Sequence, residues 1–273
     1  NRFALQTSFR QSFANVFPEP SANENDFIKP EFNFQDMNVK LSGKINKKSN
    51  FYLSLMTSND ESEYEFLKDD KNFVSSYNSK TQEKAQNGIS FSYTKQTKSG
   101  ASTNLIASYS NLNTETENKI SFKDLRNNED DISHESYTSN GIKEFSTKII
   151  HYFSAKSANQ VTLGADFTYN SSHFVRDTSS INLRADEFAA QRVGGFVNDN
   201  ISISKKVNLQ MGLRFDVMEN ITKVYLQPRI KLSFEPLEKW KINLAYGIYN
   251  QFITKNNLLD NLNNHLYIWQ IAA

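Results

Sequence analysis

Alternation at every second residue is the feature that most restricts this chain. Val207, Leu209, Met211, Leu213, Phe215 and Val217 interleave with Asn208, Gln210, Gly212, Arg214 and Asp216. The same rhythm runs through Leu226, Pro228, Ile230, Leu232 and Phe234, and through Trp240, Ile242, Leu244, Tyr246 and Ile248. It recurs in Met37, Val39, Leu41 and Ile45, and in Val161, Leu163, Ala165, Phe167 and Tyr169. Successive side chains of an extended strand point to opposite faces, so each run has one apolar and one polar face. Noisier runs near 2–13, 50–58, 87–97, 102–112, 140–154 and 188–202 bring the total to roughly eleven strands, while helical periodicity is nearly absent. Most runs are about 10–13 residues long, against about 5–6 in soluble sheets. A strand that crosses a bilayer needs about 9–11 residues.

The connections repeat a second pattern. Short turns fall at Lys47–Ser49, Lys98–Gly100, Ala155–Asn159, Ser204–Lys206 and Glu235–Glu238. Longer polar connections fall near 14–31, 60–86, 113–139, 172–187 and 219–225. Outer-membrane barrels alternate in this way, with short periplasmic turns on one rim and long extracellular loops on the other. The expected fold class is therefore all-β, an antiparallel transmembrane β-barrel of which about eleven strands are present.

Composition narrows the functions. There is no cysteine, which excludes disulfide scaffolds, thiolate metal sites and a cysteine nucleophile. Lys and Arg total 31 against 30 Asp and Glu, too balanced for a nucleic-acid surface. No G-x-G-x-x-G or P-loop pattern occurs. No run approaches the ~18 apolar residues of a transmembrane helix, a test that β-strands escape. Aromatics reach 13%. Phe51, Tyr52, Phe91, Tyr93, Tyr152, Phe153, Phe234, Trp240 and Tyr246 lie in or near strand ends, as interfacial girdles require, although ordinary β-propensity also places aromatics in strands. The first residues lack the apolar core of a signal peptide, and the last, LYIWQIAA, form an apolar run without a turn signal; the chain reads as a piece of something longer.

Several segments resemble a known family. Phe34-Gln35-Asp36-Met37-Asn38-Val39-Lys40-Leu41, followed by a Lys/Asn turn and Phe51-Tyr52-Leu53-Ser54-Leu55, is similar to a hairpin of TonB-dependent outer-membrane receptors of the Bacteroidetes type. Ser8-Phe9-Arg10-Gln11-Ser12-Phe13 resembles an early strand of that family, although Gln11 stands where many relatives carry a second Arg. Phe196-Val197-Asn198-Asp199 and Leu209-Gln210-Met211-Gly212-Leu213-Arg214-Phe215-Asp216 resemble a later hairpin. Gln227-Pro228-Arg229-Ile230 and Leu244–Gln251 resemble the strands after it. The resemblance implies a barrel of about 22 strands with a plug in its lumen. On that reading, residues 1–273 are part of one outer-membrane β-barrel domain, with the plug and closing strands absent.

The resemblance further implies a receptor in the outer membrane of a Gram-negative bacterium that takes up a scarce nutrient: an iron chelate, vitamin, glycan or peptide. Implied partners are outer-membrane lipid, the TonB complex through the missing N-terminal plug region, a small nutrient ligand and, as in glycan-importing relatives, a surface lipoprotein. No cofactor and no nucleic acid are expected. Candidate ligand contacts are aromatic and charged residues of the outer loops: Tyr64, Phe66, Phe73, Tyr77, His134, Tyr137, His173, Phe174 and Arg176, with Gln251, Phe252 and Trp269 in the next outer loop. Loop self-packing is the competing explanation of those aromatics. The four histidines, at 134, 151, 173 and 265, show no metal-ligand spacing. The acidic runs Asp69-Asp70 and Glu129-Asp130-Asp131 lack an EF-hand pattern and read as solvated acids. Three other classes compete: a passive porin or adhesive barrel, an outer-membrane hydrolase and a soluble β-sandwich lectin. The hydrolase would use His134 or His173 with nearby acids, but the chain has no G-x-S-x-G elbow.

Overall fold

The computed structural model describes residues 2–12, 26–69, 74–124, 132–154, 159–179, 181–219, 221–237, 239–259 and 265–271. Its strands are β1 (Phe3–Gln11), β2 (Asp26–Asn46), β3 (Ser49–Asp69), β4 (Val74–Gln96), β5 (Ser102–Asp124), β6 (Ile132–Tyr152) and β7 (Asn159–Thr178). They continue with β8 (Ile181–Ser204), β9 (Val207–Met218), β10 (Ile221–Leu237), β11 (Trp240–Gly247), β12 (Ile253–Leu259) and β13 (His265–Ile271). β1 to β11 form one sheet in sequence order, and each pairs antiparallel with its neighbours. Each of these eleven strands overlaps one of the eleven apolar–polar runs of the sequence, and most of them extend well beyond it. β12 and β13 form a separate hairpin. Among the described residues the sheet stays open at β1 and β11, as a segment of a larger barrel does.

Register defines the two faces. Leu41, Leu53, Phe91 and Ala107 lie side by side across β2 to β5, and Val39, Leu55, Ile89 and Tyr109 form the next row. Met211, Leu213, Phe215 and Val217 continue this outward face on β9 and are exposed. The opposite, inner face carries Ser54, Ser90, Ser108 and Ser146 in one row. Here Ser108 and Ser146 hydroxyls hydrogen-bond at 2.8 Å. A fully exposed apolar face is unstable in water but matches hydrocarbon, so the outward face is the lipid face. An apolar groove of about 610 Å³ lined by Phe91, Leu105, Ala107 and Ile149 lies there, open to acyl chains.

The apolar band ends abruptly. The row Thr57, Asn87, Asn111 and Lys143 is polar in four neighbouring strands, and Thr57 Oγ1 donates to Asn87 Oδ1 at 2.8 Å. Beyond it the outward positions read Asn59, Glu61, Glu63 and Glu65 on β3, and Asn113, Glu115 and Glu117 on β5. That row marks the outer edge of the lipid band. The strands nevertheless continue. β3 has 21 residues and is about 70 Å long, roughly twice what a bilayer requires.

This corrects the expectation of long loops. The stretches 60–86, 113–139 and 172–187 are largely strand, and β3–β4, β5–β6 and β7–β8 are hairpins that rise beyond the lipid band. Outside lipid neither face of these extensions requires a continuous apolar row, so alternation cannot reveal them. The turns at the other rim are short, as expected: Asn46 Oδ1 accepts from Lys48 N at 2.9 Å, and Ser204 Oγ from Lys206 N at 3.2 Å.

Leu213→Arg places a charge on the lipid face and should cost about 2–4 kcal/mol at mid-bilayer depth. Gln210→Arg, on the inner face, should assemble normally. Heat-modifiable migration on gels reads both, and equal effects would refute the facing.

Candidate functional site

Charged side chains gather where β7 to β10 run together on the inner face. Asp166 of β7, Gly194 of β8 and Asp216 of β9 are aligned by register. Arg214 lies two residues from Asp216 and therefore on the same face. Its guanidinium spans β8: Nη1 and Nη2 donate to the two oxygens of Asp166, both at 2.8 Å, and Nε and Nη2 donate to Asp216 at 2.9 and 2.6 Å. Gly194 makes the span feasible, because a Cβ there would stand 2.5 Å from Arg214 Nη2 and 2.6 Å from Asp216 Oδ1.

Asp216 is fully buried, which a carboxylate tolerates only when its oxygens are satisfied. Gln227 Nε2 of β10 donates to it at 2.6 Å, and Arg192 Nη1 of β8 stands 3.5 Å away. Arg192 also donates to Thr168 Oγ1 at 3.2 Å, and Arg229 donates to Gln227 Oε1 at 3.2 Å. One connected network thus joins four strands. A smaller cluster repeats the pattern at the sheet's start. Arg10 of β1 pairs with Asp36 of β2 at 2.9 Å, and Asn38 Nδ2 donates to Asp36 at 3.3 Å.

The β12–β13 hairpin packs onto this inner face. Ile268 and Ile271 are buried, Ile271 against Ala190 and Met218, with Phe252 and Phe188 at the margin. Ser172 Oγ donates to Trp269 O at 3.2 Å. Phe252 meets Tyr225 edge-on with centroids 5.2 Å apart, and the Arg192 guanidinium lies 5.0 Å from the Phe252 ring centroid. Next to the network is a polar cavity of about 410 Å³, lined by Glu144, Lys148, Arg192, Arg229, Tyr249 and Asn250 among others.

The sequence-predicted contacts are dispersed. Tyr64 and Phe66 stand on β3, on the inner face above the lipid band, near the Phe32–Phe34 ring pair. His134 of β6 and Arg176 of β7 share that face. Tyr77, Tyr137 and His173 point outward. Tyr77 donates to Glu65 Oε1 at 2.8 Å, which pushes its phenol pKa above the ordinary value. His173 Nε2 and Ser139 Oγ are 3.3 Å apart. Phe174 is buried on the inner face. Gln251 Nε2 donates to Ile253 O at 2.7 Å and is exposed. Phe252 and Trp269 belong to the segment that covers the inner wall. Phe73 and the acids at 129–131 lie outside the described residues. Among the described residues no group of His, Asp and Glu is placed to hold a metal ion.

Sequence reading quoted Arg214, Asp216, Gln227 and Arg229 only as motif letters. The signal available was the spacing of two in Arg214-x-Asp216 and Gln227-x-Arg229, which puts each pair on one face of a strand.

An open meander with an apolar outside and a charged, hydrogen-bonded inside is a segment of a transmembrane β-barrel enclosing a polar lumen. Residues 20–252 match the family model described as TonB dependent receptor-like, beta-barrel. The chain belongs to that family. No curated protein matches its sequence. Among solved structures it is similar to the ferric preacinetobactin receptor BauA from Acinetobacter baumannii, with 12% identity and TM-score 0.49 over 89% of this chain and 41% of that one. It is similar to the outer membrane transporter YddB from Escherichia coli, with 10% identity and TM-score 0.48 over 79% and 38%. The RagAB peptide importer in its closed-closed state gives 10% identity and TM-score 0.46 over 89% and 40%. The chain spans about two fifths of the length of these structures.

Two substitutions test the network. Asp216→Ala leaves Gln227 Nε2 without its acceptor and Arg214 with Asp166 alone, and should destabilise the folded barrel by about 1–3 kcal/mol. Gly194→Ala should separate Arg214 from Asp166 although it adds one methyl group. Urea unfolding in detergent measures both, and a Gly194→Ala barrel as stable as the parent would contradict the bridging geometry.

Proposed function

We propose that the protein containing this chain imports a scarce nutrient across the outer membrane of a Gram-negative bacterium, energised through TonB. The observation that carries the reading is membership of the receptor-barrel family over residues 20–252. The two-faced wall supports it. An apolar band suits outer-membrane lipid, and a polar inner face suits hydrated solute. The hairpins above the lipid band form the side of a vestibule, with Tyr64, Phe66, His134 and Arg176 turned towards its interior. These four are the proposed first contacts for a solute. Phe174 is buried and is not among these first contacts. A surface lipoprotein remains part of the proposal as a lid on this vestibule.

A passive pore is the alternative, and energy dependence separates the two. Cells expressing the full-length protein should accumulate its nutrient only while the inner-membrane proton gradient is intact, and deletion of the TonB-contacting segment should abolish accumulation. Uptake that survives an uncoupler would establish the pore instead.

A further inference from the structure

The near-neutral total charge of the chain conceals a separation by face. Lys80, Lys84, Lys148, Arg176, Arg192 and Arg229 lie on the inner face. Glu61, Glu63, Glu65, Glu83, Glu115 and Glu117 lie on the outward face just above the lipid band. Some of these acids are direct cross-strand neighbours: Glu61 opposes Glu83, and Glu83 opposes Glu115. Like charges placed opposite each other weaken a sheet, so folding alone does not favour this pattern. Its electrostatic effect is to turn anions away from the outer wall and to concentrate them inside.

Within the lumen, the cations differ in how they are neutralised. Arg214 is held between two carboxylates. Arg229 forms no ion pair among the described residues. It donates to the neutral Gln227 at 3.2 Å, and its guanidinium lies 4.7 Å from the Tyr249 ring centroid. Lys148 lies 5.4 Å from the Phe196 ring centroid and stands opposite Asp166 in the β6–β7 register, with no contact as close as a salt bridge among the described residues. Both open into the cavity of about 410 Å³, whose lining also holds Asp166, already engaged by Arg214, and Glu144, which accepts from Asn170 at 2.9 Å. A guanidinium backed by an aromatic ring keeps its N–H edges available, and those edges fit an oxyanion in a bidentate manner.

We propose that this lumenal pocket binds an anionic group of the transported solute, a carboxylate, phosphate or sulfonate, with Arg229 as the main contact and Lys148 on the opposite side. The proposal rests on the transport reading above. It narrows the nutrient to a solute that carries an oxyanion, and it sets a second contact point below the vestibule aromatics.

The test is calorimetric titration of the full-length protein in detergent at fixed ionic strength, with citrate, inorganic phosphate and 2-naphthalenesulfonate as anionic probes and spermidine as a cationic one. At least one anion should bind the parent protein. Arg229→Gln should weaken that binding about tenfold, the scale of one lost charge-assisted contact, and Arg229→Lys should recover part of it. Lys148→Gln, which leaves the hydrogen bonds of Arg214 to Asp166 and Asp216 in place, should weaken the same anion several-fold and serves if Arg229→Gln fails to fold by gel mobility. Spermidine binding, which the acidic outer face would support, should be unchanged by either substitution. No anion binding, or anion binding unaffected by both substitutions, overturns the pocket. Energy-dependent uptake with no anion binding sinks this assignment alone, whereas anion binding without uptake sinks the transport reading.

Discussion

Inside hydrocarbon a backbone N–H or C=O has no water to turn to, and each unpaired group costs several kcal/mol. Everything else in this chain follows from meeting that demand with strands. The meander order lets every inner strand pair on both sides, and the antiparallel register runs without interruption through 21 residue pairs from Ser49↔Lys95 to Asp69↔Ser75. Once the backbone is satisfied, side chains sort by face. Because the two faces alternate residue by residue, the lipid face and the lumen face are written into the same segment of sequence. The sorting changes at one row, Thr57–Asn87–Asn111–Lys143, where outward side chains leave lipid. Beyond it the same hydrogen-bond ladder continues in water as hairpins.

The lumen side meets a different constraint. A sheet that encloses polar space gains little from apolar packing there, and charged networks supply cross-strand cohesion in its place. Arg214 reaches over Gly194 to Asp166 and so ties β7 to β9 across the strand between them. Asp216 gathers donors from β9 and β10, with Arg192 of β8 alongside. These are directional contacts, so they fix strand register more sharply than apolar contact would. The same geometry leaves Arg229 beside the neutral Gln227 and the Tyr249 ring, without a carboxylate partner among the described residues.

Sequence alone revealed much of this. The strands from 207 to 248 were legible because apolar and polar residues alternate along them, lipid-facing against lumen-facing, so period two survives undisturbed. The rhythm of connections gave the sidedness. The hairpin extensions were not legible, since polar residues occupy both faces of most of residues 58–66 and 75–87 and leave no apolar period to read. Nor was the β12–β13 hairpin, because Ile268 and Ile271 are buried by the inner wall, a tertiary contact that local pattern does not encode. Arg214 and Asp216 were visible as a motif. Their partner Asp166 is 48 residues away from Arg214, and the role of Gly194 appears only when three strands are aligned.

The account stands on the position of the lipid boundary, and the absence of cysteine makes that position measurable. Single substitutions along β3, from Leu53→Cys to Glu61→Cys, can each carry a fluorophore in the full-length protein reconstituted in vesicles. The prediction is that probes at 53 and 55 are quenched by brominated lipid, probes at 59 and 61 by aqueous iodide, and the probe at 54 far less by lipid than its neighbours. Lipid quenching that continues undiminished to 61, or equal lipid quenching at 53, 54 and 55, would contradict it.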